Sequence, residues 1–149
     1  MSAYFDESFK NKEGSFELLL QILKMMSKNT THEDCCNFLY DLGCNLATKY
    51  RLKRSRTLSE LNIEINDIMQ TLGFGVVSIN DKETFLEISH RDLPAVEDKD
   101  FNDKFLEFFS VIMCGMFTTY FRQTGAPTGL NCRIESLIEP NEAVFTLKH

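Results

Sequence analysis

The 149-residue chain has no tryptophan, only three prolines and only seven glycines. So few chain breakers leave little room for linkers or low-complexity segments, and the length suits one domain. No stretch approaches the roughly 20 apolar residues needed to cross a bilayer, so a membrane-spanning protein is not expected. The first 14 residues, MSAYFDESFKNKEG, lack a basic start followed by an apolar run. A secretory signal is therefore not expected, and the cytoplasm is the expected compartment.

Positive charge is also short. Sixteen Lys and Arg face 22 Asp and Glu, for a net charge of −6. An acidic chain repels phosphate backbones, so nucleic acid is not an expected partner. The exception is local: KYRLKRSR, residues 49–56, carries five basic side chains in eight positions. Such a run suits a helix end with cations near its C-terminus, and it also suits a protein-docking surface.

The five cysteines, Cys35, Cys36, Cys44, Cys114 and Cys132, are odd in number and have no framework spacing. They do not describe a secreted disulfide scaffold. His32, Cys35 and Cys36 share one stretch of helix, but the two adjacent cysteines point about 100° apart. Buried thiols explain them better than zinc, and neither a metal nor a cofactor is expected.

Two strings imitate chemistry. Gly73-Phe74-Gly75 resembles the start of a phosphate-cradling loop. A dinucleotide fingerprint needs three glycines after a strand and before a helix, and here the order is reversed. His90-Arg91-Asp92 matches the opening of a kinase catalytic loop, but no phosphate-covering loop, strand lysine or DFG accompanies it. No G-x-S-x-G nucleophile occurs either. Glu60, Glu64 and Asp67 fall on the polar face of a periodic helix, where solvation explains them. The chain does not read as an enzyme.

What is abundant is phenylalanine, with 13 residues. Phenylalanine packs well and carries no polar handle. Along the chain, Tyr4, Phe5 and Phe9 sit in a polar arm, residues 1–14. Ser15 can cap a helix containing Phe16, Leu19, Leu20, Leu23 and Met26. Thr31 with Asp34 opens a second helix, and Thr57 with Glu60 opens a third. In the third, Leu58, Leu61, Ile65, Ile68, Met69 and Leu72 recur at three-and-four spacing, and Gly73 supplies the stop.

The period then changes to two. Val77 and Ile79, then Ile88 and His90, mark a hairpin ended by Pro94. A long helix capped at Asp100 and reaching about Gln123 follows, apolar on nearly every side from Phe108 to Phe121. Two more strands lie near residues 130–138 and 143–147. The expected fold is α+β: N-terminal helices, an antiparallel sheet of two hairpins, and a long central apolar helix. Residues 15–149 are expected to form a single domain. A domain of this size hardly surrounds such a helix alone. Phe108, Phe109, Met116, Phe117 and Tyr120 are therefore the expected oligomer interface.

Leu61, Ile63, Glu64 and Asn66, followed by Gly73-Phe74-Gly75 and by His90 with Leu93-Pro94, resemble the central region of the bacterial cellulose synthase D-subunit family. SFELLLQIL, residues 15–23, is similar to that family's first helix. The resemblance is carried by residues 15–94 and continues in layout beyond them. It implies a non-catalytic accessory of the cellulose synthase complex whose dimers assemble into a ring-shaped octamer. The octamer is expected to organise extruded glucan chains into crystalline fibrils. It further implies a proline-rich partner from the same operon and a place beside the inner-membrane synthase, cytoplasmic or alternatively periplasmic.

In that picture Tyr4, Phe5 and Phe9 are candidate glucan contacts, since aromatic faces match sugar rings. Without it they are a tail or a segment packed on a neighbouring subunit. The order of long helix, break, strand, turn and strand is also similar in layout to four-vinyl-reductase and trafficking-complex domains. These imply a small-ligand sensor or adaptor instead.

Overall fold

The computed structural model describes residues 12–53, 56–125 and 129–148. Tyr4, Phe5 and Phe9 lie outside them. The chain divides into two compact units, with the boundary between Cys35 and Cys36.

The first unit contains helix α1 (Lys12–Asn29). The helix starts three residues before Ser15, so the expected cap lies inside its first turn and residues 12–14 are not part of an arm. Glu13 in the first turn suits the positive end of the helix dipole and favours this earlier start. Leu20 and Leu23 are buried, whereas Leu18, Ile22 and Met25, at i, i+4 and i+7, are 63%, 48% and 62% exposed. At the end of α1, Thr30 donates its hydroxyl to the Met26 carbonyl (2.8 Å). Thr31 Oγ1 then accepts from the Asp34 amide (3.1 Å) and caps α2 (His32–Lys49), as its sequence indicates.

The second unit begins within α2. It continues through α3 (Leu58–Leu72), β1 (Val76–Asp81), β2 (Leu86–Arg91), α4 (Lys99–Gln123), β3 (Asn131–Ile138) and β4 (Glu142–Lys148). The strands form one antiparallel sheet in the order β1-β2-β4-β3. The two hairpins join where Ile88 faces Phe145 and His90 faces Ala143.

Helix α4 lies across this sheet. Phe117 stacks edge-on against Phe145 at 5.2 Å between ring centres, and His90 lies 5.7 Å from Phe117. α2 crosses the other side at two glycines. A Cβ built on Gly43 would strike the Ile112 carbonyl, and one on Gly115 would strike the Tyr40 carbonyl. Tyr120 donates its hydroxyl to the Tyr50 carbonyl just past the end of α2 (2.7 Å). The third side is closed by Phe74, edge-on to Phe109 at 4.9 Å, and by the segment containing Leu93 and Val96.

The segment before α4 is itself pinned. The Asn102 amide donates to the Pro140 carbonyl (3.0 Å) and its oxygen accepts from the Val96 N–H (3.1 Å). The cap of α4 is Asp98, whose carboxylate accepts from the Asp100 amide, rather than Asp100 itself.

These contacts cover much of the long helix from within the chain. Phe108, Phe109, Met116, Phe117 and Tyr120 are all buried within the single chain. Two glycines let a second helix approach backbone to backbone, which a chain with larger side chains there could not do. Most of the helix from Phe105 to Phe121 is thus covered within the chain. Gly115→Ala is expected to wedge α2 from α4 and cost about 3 kcal/mol or more of stability. Urea unfolding of the variant checks this, with Ser110→Ala on the same helix as a control that adds no volume.

Candidate functional site

The residues that resemble a family signature converge on one region, where α3 meets the exposed edge of the sheet. β1 is an edge strand, and an edge strand presents unpaired backbone groups. Asn66 supplies the missing partner: its Nδ2 donates to the Val77 carbonyl (2.7 Å) and its Oδ1 accepts from the Val77 N–H (2.7 Å). One turn earlier, Asn62 Oδ1 accepts from the Ile79 N–H (2.9 Å). Two amides at i and i+4 on a helix thus match two residues at i and i+2 on a strand.

The other signature residues serve the same junction. Thr57 caps α3 by accepting from the Glu60 amide (3.1 Å). The Glu60 carboxylate reaches back to the Arg56 amide (2.9 Å), one residue earlier than a reciprocal capping box requires. Glu64 accepts from the Lys53 amide (2.9 Å) and ties down part of the basic run. Leu61, Ile65 and Met69 are buried. Gly73 ends α3 at φ 73°, with its own N–H on Gln70 and that of Phe74 on Met69, the paired bonds of a Schellman motif. Gly75 has φ 89°, and a Cβ there would meet the Arg91 and Asp92 carbonyls. Both glycines answer to backbone geometry, not to phosphate.

His90 lies one residue before the end of the second strand, on its inward-facing side as the alternation indicates, and is fully buried. Its Nε2 lies 2.6 Å from the Phe74 carbonyl. A carbonyl only accepts, so Nε2 carries the proton. Nδ1 has no hydrogen-bond partner and sits among the Phe117 and Phe145 rings. Burial lowers the pKa from 6.5 to about 4, against a smaller opposing effect of the Phe74 carbonyl. The histidine is a neutral structural latch between β2 and the turn that follows α3. Asp92, after it, takes φ 57° in the turn before Pro94.

No group of three or more His, Cys, Asp or Glu able to hold a metal occurs among the described residues. An open cleft of about 340 Å³ lies between α3 and β1, lined by Leu58, Ser59, Asn62, Ile63, Ser78 and Ile79. It holds hydroxyls and amides but no titratable side chain. The described helices include none long and apolar enough to cross a membrane.

Two features do not stand out in the sequence. Asn62 is one, although a helix with amides at i and i+4 just before a hairpin is the pattern that covers a strand edge. The outer stripe of α1 is the other. LLLQILKMM carries Leu18, Ile22 and Met25 in addition to its buried set, so apolar residues occupy two faces.

The chain is thus an α+β domain whose marked residues brace a sheet edge. The model of the cellulose synthase D-subunit family matches residues 3–148, and the chain belongs to that family. No curated protein matches the chain. Among solved structures it is similar to a trafficking protein particle complex subunit 3 from Naegleria fowleri, covalently bound to palmitic acid. The two share 12% identity over 86% of this chain and 88% of that one, with a TM-score of 0.55, which establishes a shared fold. The family is that of an accessory subunit of cellulose synthase, and the chain is accordingly a component of that complex.

Asn66→Ala is expected to strip Val77 of both partners and cost about 2–4 kcal/mol, measured by urea unfolding. His90 sets a pH dependence. The unfolded chain takes up the proton near pH 6.5 and the folded chain only near 4. Stability is therefore full above 6.5 and is lost as pH falls towards 4, by about 3 kcal/mol at that pH. The difference in slope between the wild type and His90→Gln, read from unfolding at pH 7, 5.5 and 4, isolates this group.

Proposed function

We propose that the chain is a non-catalytic accessory subunit of the bacterial cellulose synthase complex, acting as a ring-shaped homo-oligomeric scaffold. The scaffold organises extruded glucan chains, or the synthases that extrude them, into crystalline fibrils. The observation that carries this reading is the nearly full-length family match, combined with signature residues that brace architecture instead of forming a reaction centre. Partners under this reading are further copies of the chain, dimers building an octamer, together with the synthase, glucan and a proline-rich protein from the same operon. The scaffold works at the inner-membrane complex, on its cytoplasmic side or alternatively on its periplasmic side.

The burial of α4 changes where contact between copies is sought. Phe108, Phe109, Met116, Phe117 and Tyr120 already have partners inside the protomer and are a poor choice for an interface. The exposed stripe Leu18, Ile22 and Met25 takes their place on physical grounds, because an apolar helix face in water favours association. Tyr4, Phe5 and Phe9 remain the proposed glucan contacts.

A second reading, a small-ligand sensor or adaptor, draws on the shared fold with the trafficking subunit that holds palmitic acid. Native mass spectrometry separates the two. The scaffold gives an octamer of unmodified chains, whereas the sensor gives a dimer carrying extra mass. The double substitution Ile22→Glu with Met25→Glu is expected to shift the octamer to smaller species while leaving the thermal midpoint within a few degrees, because neither side chain is buried. Removal of residues 1–11 is expected to leave assembly intact and reduce cellulose crystallinity. Unchanged cellulose order in that variant would sink the glucan role of the arm.

A further inference from the structure

Helix α4 and strand β3 pack against each other, and each carries a cysteine. Cys114 is buried on α4, next to the Gly115 that receives α2 on the neighbouring side. Cys132 is near the start of β3, paired across the sheet with Leu147, whose side chain is buried. Alternation along β3 puts Cys132 and Ile134 on the less exposed side and Asn131, Arg133 and Glu135 on the exposed side. Cys132 thus faces the helix, and the neighbouring Cys114, together with burial, raises the pKa of its thiol. Both are free thiols. β3 is the second edge strand of the sheet, bonded to a neighbour on one side only, so it opens locally more readily than the inner strands.

We propose that Cys114 and Cys132 form a redox couple that closes to a disulfide by exchange with a low-molecular-weight disulfide, locking the edge strand β3 onto α4. One thiol, as thiolate, attacks the small disulfide and releases one small thiol. The second attacks the mixed disulfide and releases the other. Two electrons pass to the small disulfide, the two protons leave with its two thiols, and one S–S bond replaces another. The neighbouring Cys114 thiol and burial hold Cys132 well above the ordinary thiol range, so the first step is slow in the closed fold. It proceeds through opening of β3. The couple stays reduced where glutathione is reducing and closes in an oxidising compartment, so its state differs between the two sides of the inner membrane.

The test incubates the full chain with oxidised glutathione and follows intact mass, peptide maps and thermal midpoint. The expected result is a loss of two hydrogens, a single linked peptide pair containing Cys114 and Cys132, and a rise in the midpoint of roughly 5–10 °C that dithiothreitol reverses. Cys114→Ala and Cys132→Ala each abolish the mass loss, whereas Cys36→Ala retains it. A linkage involving Cys44, a stable glutathione adduct with no internal bond, or no reaction under conditions that oxidise the urea-unfolded chain would each overturn the proposal. Because the peptide map is made on the wild-type protein, it decides the matter even if an alanine variant fails to fold.

Discussion

The second unit is arranged around one helix that is apolar on nearly every side from Phe108 to Phe121. From Asn102 to Phe121, α4 is buried on the side facing the sheet, the side facing α2 and the side facing the Phe74 turn. Burying such a helix inside a small chain requires close approach from every direction, and the approach on the α2 side depends on Gly43 and Gly115. Where the backbones touch, no side chain fits, and the area that would have needed a partner is covered from within. The phenylalanine-rich composition follows from the same requirement: Phe105, Phe108, Phe109, Phe117 and Phe121 fill the layers that glycine lets close.

The segment from α3 to Pro94 fits around that helix as a brace. Asn62 and Asn66 complete the hydrogen bonding of β1, and His90 joins β2 to the Phe74 carbonyl. Phe74 in turn packs on Phe109 of α4. A run of residues that imitates a phosphate loop and a kinase triplet therefore carries the connection between sheet edge and core. The residues of the brace are constrained one by one. Each meets a demand of backbone geometry or amide pairing that few other side chains satisfy.

Much of this is legible in the sequence because it is local. The Thr31 and Thr57 caps, the Gly73 stop, the period-two hairpin and the α+β order depend on neighbours within a few positions, and the structure has them. What is not legible depends on partners far along the chain. Nothing local distinguishes Gly43 and Gly115 from glycines that merely loosen a helix; their meaning lies in a contact between helices far apart in sequence. That contact is why the apolar helix reads as a subunit interface in the sequence while the protomer itself covers it. The start of α1 reads too late for a different reason. Ser15 is a good cap, but Lys12 and Glu13 are tolerated helix residues and Gly14 has open space around it, so the helix runs on.

Under the proposed scaffold reading, a self-contained core has a consequence. Protomers that finish folding alone can associate and separate through their outer faces without exposing phenylalanine to water. The most direct measurement is hydrogen–deuterium exchange of residues 105–121, compared between the assembled protein and protomers dissociated by dilution. Protection that is equally strong in both is expected if each chain encloses its own helix. Protection that collapses on dissociation would show that a neighbouring subunit covers α4, and the core would not be self-contained.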